Sequence, residues 1–237
     1  MMGRLLAADF LKLKRTMVGV LVLLGPFGVV ALTAVNFGLR YDYLTHLYKD
    51  DLWGGLLSNI ADLCALALLL GNTLLTSMVA GIEHRANAWK QLLSLPVTRF
   101  HVFLSKFAVC VLLLVISSAL LAVGTWLLGG FLGFGWSAPI QGILKISFYP
   151  MLASLAIAAL QLWLSVVFKN QAIPLTAGIV GTIVGLYSFK LPDWLLWKWP
   201  IMLNGVDSPN WPVYAGITVG LLLLLISMVH FAGKDVD

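Results

Sequence analysis

The side chain most able to do chemistry in this sequence is Asp62. It stands inside an apolar stretch, and Ser58, Asn59, Thr73, Thr76 and Ser77 share about a third of the helical circumference with it. An acid at the centre of a membrane helix costs roughly 2.5–3.5 kcal/mol on insertion scales, so it is expected to face water or a partner donor. Two readings stay open. In one, Asn59, Asp62, Thr73 and Thr76, with Gln161 from a later apolar stretch, line a translocation route. In the other, they make interhelical hydrogen bonds, with Asp62 near the outer interface. No other constellation suggests catalysis. Glu83-His84 is an isolated pair rather than H-E-x-x-H, and no G-x-x-x-x-G-K-[ST] is present to cradle a phosphate. His46, His84, His101 and His230 are too scattered to converge on one metal. The expectation is a chain with no catalytic residue, metal site or cofactor site of its own. Cys64 and Cys110 lie in apolar runs and read as buried thiols.

The elements that must position these residues are set by hydropathy. Of 237 residues, 60% are hydrophobic and 11% charged, against roughly 25% charged in soluble domains. The +5 formal charge is divided among short segments between apolar runs, which argues against a nucleic-acid partner. The expected fold is an all-α polytopic membrane protein, one transmembrane domain over 1–237. Residues 1–16 read as an interfacial helix: Leu6, Phe10, Leu13 and Met17 form its apolar face, and Lys12 and Lys14 reach for anionic lipid. Six spans follow at 17–35, 53–79, 101–132, 140–168, 172–189 and 211–232. Gly25-Pro26 predicts a kink in the first, and the fourth bends or unwinds near Pro150. Residues 36–52 read as a polar loop. Residues 190–210, with Trp194, Trp197 and Trp199, read as a short outer helix or shallow re-entrant hairpin, Trp acting as interfacial anchor. The glycine pairs Gly129/Gly133, Gly181/Gly185 and Gly216/Gly220 have helix-packing spacing.

The longest charged interruption is Ile82–Arg99, IEHRANAWKQLLSLPVTR. Ala86, Trp89 and Leu93 fall on one helical face, with Glu83, Arg85, Lys90 and Gln91 on the others, and Pro96 ends the pattern. This predicts a short amphipathic helix at 82–96, lying against the membrane. The lysines and arginines set the orientation. Arg4, Lys12, Lys14, Arg15, Arg85, Lys90, Arg99, Lys106, Lys169 and Lys234 fall on one side; Arg40, Lys49, Lys145, Lys190 and Lys198 fall on the other. The richer side is expected to be cytoplasmic, with both termini and the 82–96 helix.

Two motifs, L-K-L-K-R at Leu11–Arg15 and E-x-x-x-x-x-W-K-x-L-L-x-L-P-V at Glu83–Val97, stand in that order of elements. Together they resemble the small permease subunits of bacterial type-2 ABC exporters, nearest those of lantibiotic immunity and bacitracin resistance. The resemblance implies a coupling helix at 82–96, where Glu83, Arg85, Trp89, Lys90, Leu93 and Pro96 dock into a separate ATP-binding subunit. It also implies two such ATPase copies carrying the ATP and Mg2+, and a second permease protomer, identical or related. The implied setting is the bacterial cytoplasmic membrane, and the implied cargo an antimicrobial peptide expelled from the membrane lipid. Alternatives from other classes are a lipid-modifying membrane enzyme using Asp62, a scaffold that only recruits an ATPase, and an exporter of another hydrophobic cargo.

Overall fold

The computed structural model describes residues 2–14, 16–85, 98–187, 192–203 and 209–233. Among them every regular element is a helix. In chain order these are α1 (Met2–Leu13), α2 (Val18–Leu39), α3 (Tyr41–Leu47), α4 (Leu52–Arg85), α5 (Arg99–Phe131), α6 (Ile140–Ala153), α7 (Leu155–Val167), α8 (Ala172–Leu186), α9 (Lys198–Ile201) and α10 (Trp211–Gly233). A bilayer offers the backbone no hydrogen-bond partners, so long apolar stretches satisfy themselves as helices.

Among the described residues four helices, α2, α4, α5 and α10, are long and apolar enough to cross a membrane, and the pair α6–α7, bent by 41°, is a candidate for a fifth span. Helix α8 has only 15 residues, about 22 Å of rise, short of the ~30 Å hydrocarbon core. Residues 188 and 189, the end of the fifth predicted span (172–189), lie outside the described residues.

Several boundaries differ from expectation for physical reasons. The 36–52 stretch is not a loop: α2 runs to Leu39 and α3 follows at once, with the Tyr41 hydroxyl donating to the Leu132 carbonyl at 3.0 Å. Pro26 stands inside helix α2, which is one continuous element, as a kinked span also would be. The fourth span breaks at Ser154, one turn beyond Pro150 and so near where the sequence places it. There the Ser154 amide turns back to Pro150 and Met151 carbonyls, and its hydroxyl also donates to Met151 at 2.8 Å. Helix α4 passes through Gly81 to Arg85, so the first turn of the Ile82–Arg99 stretch is the last turn of α4. Arg99 opens α5, capped by Thr98.

Helix α4 is the central post, touching α2, α5, α6, α7 and α8. One apolar core, with Leu13, Val79, Phe103 and Leu162, fills the end where α1 lies. A second, with Phe37, Trp53, Ile60 and Leu128, fills the other end. Of the glycine pairs, Gly216 and Gly220 of α10 meet the backbone of Ala153 and Ala156, a close helix crossing. Gly181 and Gly185 instead seat Trp197. Gly129 receives the Trp53 ring, while Gly133 turns the chain at φ 84°. Trp199 is buried with Leu203 and Val213, and its indole donates to the Asp193 carbonyl at 2.7 Å. It packs within the protein, whereas Trp194 is exposed.

Candidate functional site

Around the end of α4, two acids and two lysines meet. The Glu83 carboxylate accepts from Lys106 and from Lys12, each at 2.9 Å. Lys106 also lies 3.6 Å from Asp9, whose second oxygen accepts from the Ser105 hydroxyl at 2.7 Å. Glu83 is 1% exposed and Lys106 2%. Local sequence explains the placement. Asp9 and Lys12, three apart, share one face of α1 with Phe10 and Leu13 close by, and that apolar side packs onto the core. The long lysine stems lie along apolar neighbours while their ammonium groups reach the acids. A buried carboxylate must be matched by charge, and Lys12 supplies part of that match. It therefore turns inward to Glu83 and is not committed to lipid, as its basic surroundings had suggested.

The same end of α4 is tied to other helices. His84 Nε2 sits 3.0 Å from the Ser165 carbonyl of α7. The Ser77 hydroxyl donates to Gln171 at 2.9 Å, and the Gln171 amide donates onward to the Ser165 and Phe168 carbonyls. On the α5 side, Arg99 donates to the Ala232 carbonyl of α10 at 3.3 Å. Both flanks of residues 86–97 are thus anchored. Of the predicted partner-docking residues, Trp89, Lys90, Leu93, Pro96 and the Arg85 side chain lie outside the described residues. Glu83 is inside the protein, its charge met by this chain's own lysines.

The polar strip of α4 divides into levels. Near the Leu52 end, Asn59 accepts from Asn36 of α2 at 3.2 Å and donates to the Gly55 carbonyl at 2.8 Å. Asp62 is exposed. Eleven residues on, about 16 Å of rise, Thr73 and Thr76 are buried and return their hydroxyls to the Leu69 and Asn72 carbonyls. Gln161 is fully buried, and its amide donates to the Pro174 carbonyl. It meets Thr73 beside Gly178, where a Cβ would overlap both. The structure therefore joins Thr73 to Gln161 and leaves Asp62 apart from them.

Sequence reasoning passed over Asp9, Ser105 and Asn72. A lysine inside an apolar span, as Lys106 is, signals a hidden counter-ion, the one signal by which the sequence could have found this cluster. Asn72 is fully buried, and neither of its amide atoms has a partner among the described residues. No group of three metal-ligating side chains occurs among the described residues.

In comparisons with known proteins, the model of the family described as ABC-2 family transporter protein matches residues 5–185, from α1 to α8. No curated protein matches the chain.

Proposed function

The chain belongs to the ABC-2 transporter family, and from that premise we propose that it is the six-span transmembrane subunit of an ATP-driven exporter. Residues 82–96 serve as its coupling element. Trp89, Lys90, Leu93 and Pro96, with Arg85, dock into an ABC ATP-binding subunit that holds the ATP and Mg2+. Two ATPase copies and a second permease protomer complete the machine, in the cytoplasmic membrane, with both termini inside. The cargo is a membrane-bound antimicrobial peptide of lantibiotic or bacitracin type, as the resemblance implies.

The observation that carries this reading is the anchored root of the 86–97 segment. Force applied to a short element between α4 and α5 reaches the spans only if its ends cannot swing freely. Glu83, Lys106, Lys12 and Asp9 tie those ends to α1, while His84 and Arg99 tie them to α7 and α10. Glu83 is therefore read as the fixed point behind the docking surface, with the more distal residues making the contact. An aromatic anchor with charged neighbours has the character of an interface hot spot.

The test is co-purification with an ATP-binding subunit encoded beside the chain, for wild type and for Trp89→Ala with Lys90→Glu. Wild type is expected to retain the ATPase and the double variant to lose it. If wild type binds no ATPase, the coupling reading fails.

A further inference from the structure

A cavity of about 360 Å³ lies between α2, α4 and α5, within the size range of ligand sites. It is lined by residues from 21–32 of α2, 63–75 of α4 and 113–121 of α5. None of the described residues around it is charged; Cys64, Ser117 and Ser118 are its polar members. It owes its space partly to missing side chains, since a Cβ added at Gly28 or Gly71 would meet nothing within 4 Å. On the α2–α4 side it opens past Leu24, Leu32 and Leu74, all exposed.

Its length and direction define the occupant. The lining on α4 covers 12 steps, about 18 Å of rise, running along the helix rather than across it. That is a slot for one extended hydrocarbon chain, and it opens where a membrane supplies one. Along the mouth, Leu66, Leu70 and Leu74 stand one turn apart in a single row. The next member of that row, one turn toward the Leu52 end, is Asp62, which is exposed.

The bilayer level of Asp62 follows from the charged cluster. Counting the ~20 residues of a hydrocarbon core back from Glu83 puts its far edge near residue 63. Asp62 then stands at headgroup level, and the slot descends from it into the core. An anion at the lip of an uncharged slot favours a positively charged head over a neutral or negative one.

We propose that this slot binds a cationic amphiphile, its alkyl chain between α2 and α4 and its ammonium group at Asp62. This binding is independent of the transport reading above and of the peptide cargo proposed there.

The experiment uses the full chain purified into zwitterionic nanodiscs, with radiolabelled hexadecyltrimethylammonium as probe and hexadecanol as its uncharged counterpart, each corrected against protein-free nanodiscs. Wild type is expected to prefer the ammonium by about tenfold, the scale of one close charge at a membrane interface. Asp62→Asn should remove the preference and keep chain binding. Gly71→Leu should abolish binding of both probes, while Gly71→Ala, which fits the available space, shows that position tolerates change and retains both. Unaltered binding by Gly71→Leu would overturn the slot. An unaltered preference in Asp62→Asn, or a disulfide between two copies of Asp62→Cys, would overturn the headgroup assignment. The assay contains no ATPase, so its failure is distinct from failure of the coupling reading.

Discussion

Glu83 of α4 and Lys106 of α5 meet at 2.9 Å in the protein interior, each at most 2% exposed. They bracket residues 86–97, so the hairpin carrying that segment is closed at its base by an ion pair. Asp9 and Lys12 bring α1 to the same point, and the four side chains sum to zero charge.

Removing one partner of this pair leaves the other buried and unmatched. Lys106→Met and Glu83→Gln are each expected to destabilise the protein by about 3–5 kcal/mol, and the double variant by less than the sum. Unfolding midpoints of the purified protein, followed in detergent for all four forms, check this. Additive losses would show that the two groups do not depend on each other.

Lys12 is 37% exposed, so solvent screens its bond to Glu83. Lys12→Ala should cost about 1 kcal/mol or less while loosening α1 from α4. The expected readout is faster proteolysis near the N-terminus at almost unchanged global stability. An unchanged cleavage rate would show that Asp9 and the apolar packing of Leu6, Phe10 and Leu13 hold α1 without Lys12.

Gly216 faces the Ala153 backbone where α10 crosses the bend between α6 and α7. Backbone cannot rotate away as a side chain does, so Gly216→Leu should separate the helices and cost about 1–3 kcal/mol or more. Gly181→Leu should instead displace the Trp197 ring, because a side chain stands in its way. A shift of tryptophan emission in Gly181→Leu that disappears when Trp197→Phe is added reports that displacement.

Asn72 is buried with an unpartnered amide among the described residues, so Asn72→Leu is expected to preserve stability or raise it by about 1 kcal/mol. Thermal unfolding measures the first part. A transport assay in cells with the cognate ATPase measures the second: a route that passes Asn72 loses activity in the more stable variant, and intact activity places the route elsewhere.

The long helices were legible because span length and apolarity are local properties. α2, α4, α5 and α10 fall where hydropathy puts them, within a few residues. Helix α3 was not legible, since its seven residues are ordered by contacts made far along the chain, such as Tyr41 with Leu132. The bend at Ser154 was legible to within one turn from Pro150, while the close packing of Gly216 and Gly220 against Ala153 and Ala156 at that bend was not.

Composition and spacing by themselves determined that this is a helical membrane protein with an amphipathic interruption after its second long apolar stretch. Those features follow from the cost of moving side chains and backbone out of water, which each segment meets alone. Only the tertiary structure decided what the polar residues do. It paired Lys12 with Glu83 rather than with lipid, joined Thr73 to Gln161, and left Asp62 exposed and apart from both. A charge takes its partner from three-dimensional neighbours, and residues 9, 83 and 106 become neighbours only when α1, α4 and α5 pack.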